Sequence, residues 1–110
     1  MAGAFEKREK GFETKWAHDE ELRFKVFARR NKLLGLWAAG EMAMTGPAAD
    51  AYAKEVVASD FEKPGEEDVF EKVRRDFDAK KVALSDHALR RKMEELLDEA
   101  KTQIHNEIKN

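Results

Sequence analysis

The hydrophobic pattern of the chain is helical, and its longest uninterrupted segment runs over residues 19–44 without a proline. At 100° per residue, the apolar side chains of this segment fill a sector of about 200°, and five of them cluster within roughly 60°. A surface helix needs a stripe of only roughly 100°, so we predict a central helix with neighbours on two sides and with Trp37 anchoring the core. The five clustered residues are Leu22, Val26, Leu33, Trp37 and Met44.

Three further amphipathic segments follow, each bounded by signals for helix starts and stops. Proline is tolerated in the first turn of a helix, so Pro47 can open the second segment, and Lys63-Pro64-Gly65 closes it. Ser85 is the predicted N-cap of the last helix, and Leu84 is placed to pack on Leu89. No segment alternates as a strand would. We therefore predict an all-α four-helix bundle with helices at about 19–44, 47–62, 66–79 and 86–108.

The first fifteen residues differ from the rest, because they mix charged and small residues with two glycines. They bury too little apolar surface to offset the entropy of ordering. We predict a mobile N-terminal arm at 1–15 and a bundle domain at 16–110. In a helical arm, Phe5, Phe12 and Trp16 would lie within about 40° of one another. Such a stripe suits a helix bound in a partner's groove, although a frayed tail explains the same residues when they are taken alone.

Arg23 and Arg30 are seven residues apart, so both project into the apolar sector of the long helix. An arginine there pairs within the bundle, packs its stem on apolar neighbours, or faces a partner. A structural role is the favoured interpretation, and a second partner-binding face at these two residues is the alternative.

Apolar residues at helical spacing in the same segment also allow two interpretations. A ligand groove lined by Phe24, Phe27, Met42 and Met44 is one, and filling of the core is the favoured one, because the spacing matches the helix period.

Candidate chemistry is sparse. The chain has no cysteine, and no pair among His18, His87 and His105 has the spacing of two metal ligands on one helix. No glycine-rich phosphate-binding loop is present. We predict no enzymatic activity, no metal and no cofactor.

Charge is divided unevenly along the chain. Residues 1–32 carry a balance of +3, and residues 33–110 carry −5. The basic N-terminal third suggests an acidic or mixed partner surface. Its mixture of basic and acidic residues argues against binding to nucleic acid. No stretch approaches the roughly 20 apolar residues of a membrane span, and no signal peptide is evident, so a cytoplasmic protein without direct membrane insertion is expected.

Five blocks of sequence carry a resemblance to a known family. They are AHDEELRFK at 17–25, ARRNKLLGLWAAG at 28–40, AYAKEVV at 51–57, DFEKPGEEDV at 60–69 and LRRKMEELLDEA at 89–100. With these blocks the chain resembles the ATPase-inhibitor zeta subunit of alphaproteobacterial F-type ATP synthases. The resemblance covers nearly the whole chain.

The resemblance implies a four-helix bundle that inhibits ATP hydrolysis by the ATP synthase. It further implies that the N-terminal segment enters an interface between alpha and beta subunits near the gamma subunit. The protein is then expected to be monomeric when free and to associate with the inner membrane only peripherally, through the ATP synthase. The alternative is a non-enzymatic helical adaptor whose tail is merely flexible. The implied contacts in the arm are Phe5, Lys7, Arg8, Phe12 and Trp16.

Overall fold

A computed structural model describes residue 16, residues 18–60 and residues 66–109. This part of the chain contains helices and no strand, which confirms the all-α prediction. The predicted arm at 1–15 lies outside the described residues. The four helices are α1 (Glu20–Glu41), α2 (Gly46–Ala58), α3 (Glu67–Ala79) and α4 (Asp86–Lys109).

The starts of the helices follow local signals in the sequence. The Asp19 carboxylate caps α1 by accepting a hydrogen bond from the Leu22 backbone N–H at 3.1 Å. The Ser85 hydroxyl caps α4 in the same way, by accepting from the Ala88 N–H at 3.1 Å. Pro47 lies in the first turn of α2. The predicted start points therefore agree with the structure to within about two residues, the usual uncertainty of helix ends.

The first helix ends at Glu41, three residues earlier than predicted. Ala43 adopts a left-handed conformation with φ of 61°, and the Met44 N–H donates to the Ala39 carbonyl at 2.8 Å. This is the Schellman arrangement, which stops a helix and satisfies its last carbonyls. At the end of α3, the Val82 N–H donates to the Phe77 carbonyl at 2.9 Å in the same arrangement, and Lys81 has φ of 58°. Neither left-handed residue is a glycine, so the sequence carried no obvious stop signal at these positions.

The second helix ends at Ala58, whereas the sequence predicted an end near residue 62. The Ser59 hydroxyl donates to the Val56 carbonyl at 2.7 Å and so satisfies a group that a further helical turn would have bonded. Asp60 then leaves the helix and accepts a hydrogen bond from Asn31 of α1. Residues 61–65, which include the predicted stop, lie outside the described part of the chain.

Two clusters of buried side chains form the core. The larger cluster draws on all four helices, and the smaller one joins the N-terminal half of α1 to the C-terminal half of α4. At about 1.5 Å per residue, α1 and α4 are longer than α2 and α3 by roughly 14–17 Å. We call the part that holds the smaller cluster the two-helix end. Its cluster is Leu22, Val26, Ala100 and Ile104, with Trp16, Leu33 and Leu97 packed against it.

Trp37, which was predicted to anchor the core, packs against the larger cluster but lies at the edge of that cluster. Its ring is half-buried and meets the Phe77 ring edge-on at 5.7 Å, so that Phe77, and not Trp37, is fully enclosed. The reason is the position of α2 on α1. A Cβ on Gly35 would lie 2.5 Å from the Ala53 Cα, so the two helices touch at the backbone there. That contact turns the Gly35 side of α1 toward the core and leaves Trp37 at its edge.

Candidate functional site

Trp16 is attached to the two-helix end of the bundle. Its ring is half-buried, and its centroid lies 5.8 Å from that of Phe27 in an edge-to-face arrangement. The Lys101 Nζ of α4 lies 4.6 Å from the same indole ring. The predicted arm therefore joins the bundle at this end. The other four predicted arm contacts, Phe5, Lys7, Arg8 and Phe12, lie outside the described residues.

Arg30 belongs to a buried polar cluster that ties α1 to the end of α2. Its side chain is 1% exposed, and its Nε donates to the Asn31 Oδ1 at 2.7 Å. The Asn31 Nδ2 in turn donates to the Asp60 Oδ2 at 3.0 Å. Burial lowers the pKa of Arg30, and the negative charges of Asp60 and Glu66 oppose that shift. The guanidinium also lies 5.3 Å from the Phe27 ring centroid, which favours the structural role considered from the sequence.

Arg23, the other member of the alternative partner-binding face, has a different environment. It lies two turns earlier on α1 and is partly exposed. The structure thus does not present Arg23 and Arg30 together at the surface. Asn31 and Asp60, which complete the buried cluster, were not singled out from the sequence. Asn31 is flanked there by Arg30 and Lys32, so its local sequence does not mark it as buried.

An apolar groove lies at the two-helix end, between α1 and α4. Among the described residues, Phe24 and Ile108 are the two large hydrophobic side chains that are exposed, at 66% and 43%. Both line this groove of about 620 Å³, and Val57 of α2 closes it on one side. The preference for core filling was therefore wrong for Phe24, although Met42 is buried as expected. Phe24 is exposed because α2 ends one residue after Val57 and so does not extend over this part of α1.

Basic side chains surround the groove. The Arg29 guanidinium donates to both carboxylate oxygens of Glu107, at 2.6 and 3.0 Å, and this hydrogen bonding lowers the pKa of Glu107. The Lys25 Nζ lies 3.5 Å from the Glu21 Oε1. Lys32 is exposed at the rim of the groove. Three cations and one carboxylate line the groove, a balance of +2 on a chain whose net charge is −2. The groove is thus a basic, apolar patch on an acidic protein.

No grouping of histidine, aspartate and glutamate within the described ranges could hold a metal ion. In the same ranges, none of the helices combines the length and the apolar character needed to span a membrane.

The sequence model of a family described as ATPase inhibitor subunit zeta matches residues 1–103. The chain belongs to this zeta inhibitor family. The match begins at the first residue, so it includes the whole predicted arm as well as the bundle.

A solved solution NMR structure shares 46% sequence identity with this zeta-family chain, with a TM-score of 0.68. The alignment covers 78% of this chain and 98% of the solved one. A search of curated proteins found no match. Membership of the zeta family confirms the resemblance seen in the sequence, and it implies a regulatory protein that acts on the ATP synthase.

Proposed function

We propose that this zeta-family protein binds the catalytic head of F-type ATP synthase and blocks ATP hydrolysis by inserting its N-terminal segment into an interface between alpha and beta subunits. One observation carries the proposal: the family match begins at residue 1 and includes the segment that would be inserted. The segment itself is sparse in apolar residues, so a partner's cleft would have to supply the surface that covers them.

The architecture of the bundle supports this arrangement. Trp16 joins the N-terminal segment to the two-helix end, where α1 and α4 extend beyond the shorter helices. An end that is only two helices wide can approach a cleft more closely than the four-helix region can. In a bound helix the segment would present Phe5 and Phe12 on one side, with Lys7 and Arg8 beside them.

The proposed mechanism needs no chemistry from the inhibitor. A catalytic interface that opens and closes in each cycle is held in one state by a helix that binds that state more tightly. The difference in affinity between the two states sets the degree of inhibition, since equal affinity for both would shift nothing. The inserted helix stalls rotation near the gamma subunit, and the protein associates with the membrane only through its partner.

The test is a titration of ATP hydrolysis by the cognate ATPase with full-length variants. Phe12→Ala combined with Arg8→Ala is expected to weaken inhibition about tenfold or more and to leave the melting temperature unchanged. The matched control is Glu6→Ala combined with Glu13→Ala, which removes two side chains of the same segment that are not among the proposed contacts.

Undiminished inhibition by the Phe12/Arg8 variant would show that the segment is a passive tail. If the parent protein bound the ATPase without slowing hydrolysis, the adaptor alternative would replace inhibition. Arg23, the partly exposed member of the alternative face, would then be the first residue to substitute.

A further inference from the structure

The groove at the two-helix end has the composition of a binding surface. The two exposed large hydrophobic side chains of the described residues, Phe24 and Ile108, come from opposite ends of the described chain and meet in one depression. Single exposed apolar residues are ordinary, but their convergence in one groove is typical of surfaces that bind another protein.

The charge of the groove restricts what can occupy it. A second copy of this chain would bring the same balance of +2 against itself, which opposes pairing of the two grooves. The chain's own residues 1–15 carry four basic and three acidic side chains, so they offer no negative surplus either. Lys25 is ion-paired with Glu21 and Arg29 with Glu107, so the exposed Lys32 is the rim cation that most favours an occupant with carboxylates. The apolar floor favours an occupant with large hydrophobic side chains.

We infer that the groove is a second docking site, which binds an amphipathic, acidic helix on the surface of the catalytic head that the N-terminal segment enters. A helix fits because the groove lies between two helices and is lined by apolar side chains with charged residues at its rim. This inference rests on the proposed function, since it takes the same assembly as the partner.

The groove lies at the same end of the bundle as the junction with the N-terminal segment. Phe24 lies in the second turn of α1, close in sequence to Trp16, where the N-terminal segment joins the bundle. Binding at the groove holds the segment beside its target at a high effective concentration, so two modest contacts combine into a tighter one. The bundle then serves as an anchor for the segment, in addition to being its carrier.

The experiment measures the affinity of the full-length protein for the isolated ATPase. The apolar floor is removed by Phe24→Ser combined with Ile108→Ser, two exposed positions whose loss leaves the core intact. The rim is tested by Lys32→Glu, and Arg91→Glu is the matched control because Arg91 is exposed on the first half of α4, away from the groove. Each variant is also combined with Phe12→Ala and Arg8→Ala, and a thermal melt accompanies every affinity.

The serine variant is expected to bind about tenfold more weakly than the parent, with an unchanged melt. Lys32→Glu is expected to weaken binding and to reduce its dependence on salt, whereas Arg91→Glu is expected to do neither. Parent-like affinity of the serine variant overturns this inference, and if Phe12→Ala with Arg8→Ala still weakens inhibition, the proposed function stands without it. The reverse result is that the serine variant and Lys32→Glu bind more weakly while Phe12→Ala with Arg8→Ala inhibits fully. It supports docking at the groove and contradicts insertion of the N-terminal segment. A concentration-dependent dimer of the parent that the serine variant abolishes assigns the groove to a second copy and overturns the inference as well.

Discussion

The Trp16 ring packs edge-to-face against the Phe27 ring, with their centroids 5.8 Å apart and their planes at 66°. Lys101 of α4 lies against the same indole, so Trp16 contacts both helices of the two-helix end. A residue assigned from the sequence to partner binding thus has contacts within the bundle. The limit of the folded body is therefore expected to fall before Trp16.

Deletion of residues 1–14 is expected to leave helicity and the cooperative melt intact, whereas Trp16→Ala is expected to lower the free energy of unfolding by about 1–2 kcal/mol. The loss combines an edge-to-face aromatic pair and a cation–π contact. Urea denaturation followed by circular dichroism measures both variants. A truncated chain that loses as much stability as Trp16→Ala would show that the arm belongs to the core.

Two glycines of α1 are expected to respond oppositely to the same substitution. A Cβ on Gly35 would meet the Ala53 Cα at 2.5 Å, whereas a Cβ on Gly40 has no neighbour within 4 Å. Gly35→Ala is expected to destabilise by about 1–2 kcal/mol, because overpacking outweighs the gain in helix propensity. Gly40→Ala is expected to stabilise by about 0.5–1 kcal/mol. Equal changes in the melting temperature of the two variants would contradict the close approach of α1 and α2.

Tyr52 is the one tyrosine of the chain, so its ionisation can be followed without interference from other tyrosines. Its side chain is buried, and its hydroxyl donates to the Asp76 Oδ2 at 2.7 Å. Burial and this hydrogen bond raise the pKa of Tyr52 far above its ordinary value of 10.0. The ionised form is therefore disfavoured in the folded state.

The sign of the resulting pH dependence follows from the raised pKa. The stability that protonated Tyr52 contributes is complete below about pH 10, and above it falls by up to about 1.4 kcal/mol per pH unit. We expect tyrosinate absorbance in the near-ultraviolet to appear together with the loss of helicity in an alkaline titration. The Tyr52→Phe variant should lack this contribution. Tyrosinate absorbance near pH 10 in a chain of full helicity would contradict the buried hydrogen bond.

Features set by neighbouring residues were predictable from the sequence. The caps at Asp19 and Ser85 are examples, because the acceptor and its donor lie three residues apart. Features that depend on distant segments were not. The half-buried position of Trp37 follows from the contact of Gly35 with α2, and the exposure of Phe24 follows from the end of α2 at Ala58. A helical wheel shows the width of an apolar sector but not which part of it each neighbour covers.

The buried polar cluster is another long-range feature, since Asn31 and Asp60 are 29 positions apart. From the sequence, Arg23 and Arg30 were equivalent members of one helix face. The structure separates them, because Arg30 is enclosed with Asn31 and Arg23 is partly exposed. A pair of identical substitutions tests that separation.

Arg30→Ala is expected to lower the free energy of unfolding by about 3–5 kcal/mol, because it removes the donor to the buried Asn31 Oδ1 and a positive charge near Asp60. Arg23→Ala is expected to change it by no more than about 0.5 kcal/mol, as is usual for surface positions. Arg30→Met keeps an aliphatic stem and is expected to fall between the two. Urea denaturation of the three variants, each paired with an inhibition assay, makes the comparison. Equal stability of Arg23→Ala and Arg30→Ala would place both guanidinium groups at the surface. If both variants also lost inhibition, the alternative partner-binding face on α1 would be the correct one.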